Sequence, residues 1–177
     1  MRPMVDLAVS GYTVDDIDWL RDEIGVAHLE LDPWGSLVVS PADDPHEIAA
    51  VALTRQAVTQ LSHDVSVNGL GWTVPGGTGY LMVPDLTVLA TGWRRVEELH
   101  FDPPPLLVVE IASRSSRRAD RTRKLADYRL GGAGKYLLVD LPASFELHDF
   151  AAGTVVKAER TIEFVVGGQP VRFSLPA

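Results

Sequence analysis

At 177 residues, with 46% hydrophobic and 23% charged side chains, the chain has material for one sizeable core and no need of a second. The absence of cysteine removes disulfides, thiolate nucleophiles and zinc knuckles, and fits a reducing compartment. A formal net charge of −8 excludes a surface that binds nucleic acid all over, so any such contact must be local.

No apolar run approaches the roughly 20 residues of a membrane span, and "MRPMVDLAVSGY" lacks the apolar stretch of a signal peptide. A cytoplasmic protein without membrane contact is expected. "TVDDIDWLRDEIG" predicts a short first helix, with Thr13 at its N-cap and Gly25 near its end. "VAHLEL" and "GSLVVS" alternate about the turn "DPWG" and predict a hairpin. "DDPHEIAAVALTRQAVTQLSH" then predicts a helix of about four or five turns. Asp44 caps it, Pro45 takes its first position and Glu47 completes a capping box. Ile48, Val51, Ala52, Arg55, Val58 and Leu61 are its expected buried face, and His46 is expected to be exposed in its first turn.

After a glycine-rich connection comes "MVPDLTVLA", then the buried strand "PPPLLVVEIAS". A basic segment opens a helix that stops at "GGAG", and "KYLLVDL" is the next buried strand, with Asp140 as a turn former at its end. The tail through "FELHDF", "TIEFVV" and "VRFSL" alternates, as a closing antiparallel set would. The fold class expected is α/β or α+β, one domain over residues 1–177 around a mixed sheet.

Several chemistries fail on their motifs. "GGAGKY" places Tyr136 where a phosphate-binding loop needs Ser or Thr. "GGTGYLM" lacks the third glycine of a dinucleotide site, and "HEIAA" has no second histidine for zinc. No G-x-S-x-G elbow occurs.

What remains is a pair of acids in apolar surroundings, Asp85 in "LMVPDLTVL" and Glu110 in "LLVVEIA". A carboxylate there is costly unless it is paired, protonated or bound to metal. Two of them on adjacent strands suit Mg²⁺, a hard cation that takes one or two carboxylates and leaves room for phosphate. Asp120, Lys124 and Tyr128 are spaced by four and share a helical face. Arg114, Arg117, Arg118, Arg121 and Arg123 make this the one strongly basic stretch, a candidate for phosphate contacts. Each residue also has a structural alternative. Asp85 would cap a turn, Glu110 would pair with an arginine, and Lys124 with Asp120 would be a surface ion pair. Tyr128 would only pack, Glu30 would lie on the hairpin surface, and the arginines would form a solvated face.

"VPDLTVL" followed by "PPLLVVEIASRSSRRADRTRKLADYRLGGAGKYLLVDLP", with the upstream "HLELDPWGSLVVSPADDPHE", resembles the Uma2 family (DUF820) of restriction-endonuclease-like proteins, within the PD-(D/E)XK nuclease superfamily. The resemblance covers roughly residues 12 to 150. It implies a mixed four-stranded core sheet flanked by helices and Mg²⁺-dependent DNA cleavage, with Mn²⁺ as an alternative ion. It makes Asp85 and Glu110 the metal ligands and Lys124 the stabiliser of the transition state, with Glu30 completing the site and Asp120 orienting Lys124. One departure is Ala112, which stands two residues after Glu110 where many of these nucleases carry lysine; Lys124 would supply that charge from the helix. Cutting both strands of a duplex would favour a homodimer. The competing function is a non-catalytic module of the same fold that binds DNA or a partner protein, and a weaker third is an enzyme acting on RNA.

Overall fold

A computed structural model of the chain describes Leu20 and residues 29–32, 36–39, 44–67, 70–74, 81–96, 100–112 and 116–176. The expected first helix, apart from Leu20, lies outside these residues, as do Arg114, most of the turn "DPWG" and the side chain of Asp44.

The centre is a strand buried along its whole length. Strand β7 (Leu107–Ala112) is an unbroken apolar run except for Glu110, the signature of a strand covered on both faces. It pairs in parallel with β8 (Lys135–Asp140), placing Glu110 beside Leu138 and Ala112 beside Asp140. All other pairings in this sheet are antiparallel. β4 (Leu86–Val88) and β3 (Val65–Val67) extend it on one side, and β9 (Ser144–Asp149) and β10 (Thr154–Glu159) on the other. The sheet therefore has six strands in the order β10-β9-β8-β7-β4-β3, two more than the four-stranded core that the resemblance implied. Three further pairs stand outside it. These are the predicted hairpin β1 (Leu29–Leu31) with β2 (Leu37–Val39), then β5 (Arg94–Val96) with β6 (His100–Asp102), and β11 (Thr161–Val166) with β12 (Gln169–Ser174). Strands β3, β5 and β6 are additions to the predicted set.

Because side chains alternate across a strand, the sheet has two separate cores. Leu107, Val109, Ile111, Leu137 and Val139 face helix α1 (Asp44–Gln60) and the β11–β12 hairpin. Val108, Ala112, Tyr136 and Leu138 face Trp72, Phe101 and Tyr128, and Glu110 points to this second side. The second layer is a helical stretch in three parts, α2 (Arg117–Ala119), a π-helical turn (Asp120–Lys124) and α3 (Leu125–Leu130). It stops as predicted at the glycines. Gly132 has φ +81, which suits a residue without a side chain, and a Cβ on Gly134 would lie 2.8 Å from the Leu106 carbonyl.

Helix α1 is rotated from the expected orientation. Its buried positions are Ala49, Ala50, Leu53 and Ala57, with Leu61 just beyond its end, whereas Ile48, Val51 and Val58 are 56%, 50% and 58% exposed. Two glutamines explain the rotation. Gln56 donates to the Ser174 carbonyl at 2.9 Å and accepts from the Ser174 N–H at 2.7 Å. Gln60 does the same with Arg172, at 2.9 and 2.8 Å. Two side-chain amides one helical turn apart thus match the outward-facing backbone groups of β12 at every second residue. With small alanines underneath, the helix lies close to the sheet and its larger β-branched residues are left outside.

No helix among the described residues is long and apolar enough to cross a membrane.

Candidate active site

Three carboxylates and one lysine meet beside β7, and a fourth carboxylate, Asp85, is near enough to act on Glu110. Glu30 comes from β1, Asp85 from the residue just before β4, Glu110 from β7, and Asp120 with Lys124 from the π-helical turn. All five are 6% exposed or less. The wider π turn, a feature often found at functional sites, bears on the cluster at both its ends. Tyr136 closes it by donating its hydroxyl to the Asp120 carbonyl at 3.0 Å.

Lys124 is the hub. Its Nζ lies 2.8 Å from Glu30 Oε1, 3.2 Å from Glu110 Oε1 and 3.5 Å from Asp120 Oδ1. Glu30 also accepts from the Val83 N–H at 3.0 Å, which ties the β1–β2 hairpin to the segment before β4. Tyr128 donates to Glu110 Oε1 at 2.5 Å. Its ring stacks between Trp72 and Tyr136, at centroid distances of 5.1 and 5.5 Å. Tyr128 therefore packs and also contacts the acid. Glu110 pairs with Lys124 rather than with an arginine, and Lys124 with Asp120 is an interior pair, not a surface one.

Asp85 is held from two directions. Its Oδ2 accepts the Ile111 N–H at 2.6 Å, which fixes it against β7 one residue past Glu110. Its Oδ1 lies 2.9 Å from Nε2 of His46. The expectation that His46 is exposed is corrected here, since it is half-buried on Asp85. A sequence signal existed. His46 precedes Ala49, Ala50 and Leu53 by three, four and seven residues, so it lies on the buried face of α1 once that face is correctly assigned.

The electrostatics follow from burial and from the surplus of acids. Burial lifts the Glu110 carboxyl well above the carboxylate range; Lys124 opposes this, while Asp120, Asp85 and Glu30 add to it. Asp120 is raised by burial in the same way, against Lys124 and the nearby Ser116 hydroxyl. Lys124 Nζ stands 3.5 Å from Asp120 Oδ1, at the outer limit of a hydrogen bond. Burial alone would lower Lys124, but Glu110, Glu30 and Asp120 hold it well above the usual lysine value, so it carries its charge. Burial and the adjacent acids push Tyr128 and Tyr136 up, which keeps both as hydroxyl donors.

Arg117 and Arg121 engage acids outside this cluster. Arg117 pairs with Asp140 at 2.6 Å, and Arg121 bridges Asp140 at 2.9 Å and Glu146 at 3.1 Å on the outer side of the helix. Arg118 is exposed and Arg123 half-buried. Asp140 ends its strand just before a turn, as the sequence suggested, and its carboxylate also holds two arginines.

Among the described residues, no three His, Cys, Asp or Glu groups are arranged to hold a metal ion. The donor set nevertheless fits a hard divalent cation of the two-carboxylate kind. The donors are carboxylate oxygens, they outnumber the cations beside them, and burial pushes two of them toward protonation.

The fold of this chain also occurs in a known structure. The chain superposes with a TM-score of 0.59 on a crystal structure from Anabaena variabilis ATCC 29413 described as "a putative nuclease belonging to DUF820". Identity is 15%, over 78% of this chain and 80% of that one, so the likeness shows a common fold. A family model described as "Uma2: Putative restriction endonuclease" matches residues 26–165, and the chain belongs to the Uma2 family. No curated protein matches it. Family and fold together support a nuclease function.

Proposed function

We propose that this protein is a metal-dependent endonuclease that hydrolyses phosphodiester bonds in DNA. The observation that carries the proposal is the reach of Lys124 from the helix to Glu110, with its Nζ 3.2 Å from the carboxylate. An ammonium charge thereby stands beside the strand acid although Ala112 occupies the strand position that carries lysine in many related nucleases.

Asp85 and Glu110 would hold the cation, Mg²⁺ or Mn²⁺. When bound, it supplies activation of a water and stabilisation of charge on the phosphate. The protein's own groups divide the remaining work. His46 and the Ile111 N–H hold Asp85 in place, and Tyr128 holds Glu110. Glu30 and Asp120 flank Lys124 and keep it protonated, so that a full positive charge is available to a pentacovalent phosphate.

The test is calorimetric titration with Mn²⁺ and Mg²⁺ of wild type, Asp85→Asn and Glu110→Gln, alongside plasmid cleavage. Binding and cleavage that vanish together in both variants are expected. A wild type that binds neither ion and leaves DNA intact would sink the proposal. One observation favours the second function, a binding module of nuclease fold: the five central residues are almost completely buried, a closure that an enzyme must relieve and a binding module need not.

A further inference from the structure

Asp140 and Glu146 are acids that the nuclease reading leaves unused, and both pair with arginines. Arg117 binds one oxygen of Asp140 and Arg121 the other. Arg121 continues to Glu146, which also binds Lys157 at 3.1 Å and His148 at 2.9 Å. The result is one connected strip across the helix, β8, β9 and β10. It is layered by exposure. The cation side chains are 46% (Arg117), 37% (Arg121) and 73% (Lys157) exposed, and the two carboxylates below them about 20%.

The strip borders the acid cluster. Asp140 lies beside Ala112, two residues past Glu110, and Arg117 precedes Asp120 by three on the helical stretch. Arg118, next in sequence, is exposed, and Glu159 lines the same cleft as Arg121 and Lys157. A guanidinium has five N–H donors, and Arg117 and Arg121 use only one and two of them on these acids. Donors remain on both arginines to take phosphate oxygens.

We propose that this strip is the track for the phosphate backbone of duplex DNA, and that Asp140 and Glu146 attenuate it by neutralising the arginines from below. The proposal rests on the nuclease reading for the identity of the polymer. Its physical content is separate: a phosphate approaching Arg117 or Arg121 meets a guanidinium whose charge is partly cancelled, and is repelled by the carboxylate beneath. Neutralising that carboxylate removes the repulsion and leaves the arginine in place.

Fluorescence anisotropy of a labelled duplex of mixed sequence, in EDTA and over a salt series, tests this on the full chain. Asp140→Asn and Glu146→Gln should each bind about twofold to fivefold tighter than wild type, the scale of a partly exposed ion pair. The double variant Arg117→Ala with Arg121→Ala should bind more weakly, with a salt slope smaller by about 0.9 for each phosphate that the arginines no longer neutralise. Thermal melts accompany every variant; if Asp140→Asn does not fold, Glu146→Gln carries the test. Unchanged or weaker binding by the folded acid variants overturns the proposal, as does wild-type affinity in the arginine double variant or the absence of duplex binding by any of these proteins. Failure of the nuclease reading looks different, because plasmid then stays intact with Mn²⁺ while the order of affinities in EDTA is kept.

Discussion

Lys124 is the residue on which the acid cluster depends. Removing one partner of a buried ion pair typically costs about 3–5 kcal/mol, because the other charge is left without compensation. Lys124→Met should therefore lower the unfolding free energy by an amount in that range, and adding Glu30→Gln should restore part of the loss, since one of the stranded acids at 2.8 Å is then gone. Denaturant titration reads both effects, and a Lys124→Met protein as stable as wild type would show that the cluster is held by packing alone. His46 makes a different prediction, because it contacts Asp85 from the edge of the site and is not enclosed within it. His46→Ala should weaken Mn²⁺ binding several-fold by calorimetry while moving the melting temperature little. A large loss of stability with unchanged affinity would assign His46 to the fold instead.

At the scale of elements, helix α1 separates pattern from packing. The spacing of its larger apolar residues marked a face containing Val51 and Val58, whereas the buried face is made of Ala49, Ala50, Leu53 and Ala57. Val58→Lys should be close to neutral, within about 0.5 kcal/mol, as for surface positions generally. Leu53→Ala should cost about 2–5 kcal/mol, the range for a fully enclosed leucine. Matched denaturant titrations of the two variants decide between the faces, and a reversed order would restore the pattern-based one. This rotation was not legible in the sequence because it follows from Gln56 and Gln60 meeting β12, more than 100 residues further along the chain. Strand β7 was readable for the opposite reason. An apolar run of six with a single acid has few places in a fold, and the spacing of Asp120, Lys124 and Tyr128 needed only a helix to bring them to that acid. The arginine segment shows the limit of local reading, since the acids that engage it stand on β8 and β9.

For the molecule as a whole, carboxylates held beside cations govern how stability responds to acid. Lys135 beside Asp149 holds that carboxyl below its ordinary range, helped by the Ala152 N–H. Burial would raise Glu146, but Lys157 and His148 bring it below its ordinary range too. A carboxyl lowered in the folded state stabilises the protein above its unfolded pKa, and that contribution is lost as pH falls through the folded value. Asp149→Asn should therefore flatten the decline in melting temperature from about pH 4 downward relative to wild type, and leave the neutral range shifted but parallel. Parallel curves throughout would mean that Asp149 titrates alike in the folded and unfolded chain.

The amides of Gln56 and Gln60 also carry a consequence in time. A chain is made from its N-terminus at about 5–20 residues per second, and 118 residues separate Gln56 from Ser174, so roughly 6–24 s pass between the synthesis of the two partners. Until residues 169–174 have emerged, helix α1 has neither the β11–β12 hairpin that covers Leu53 and Ala57 nor the backbone groups that set its rotation. For that interval, the half-made protein presents a helix with two apolar faces, Ile48, Val51 and Val58 on one and Ala49, Leu53 and Ala57 on the other. Transiently exposed apolar surface of this kind makes growing chains prone to aggregate, and the arrival of β12 covers the face of Ala49, Leu53 and Ala57 while the other stays at the surface.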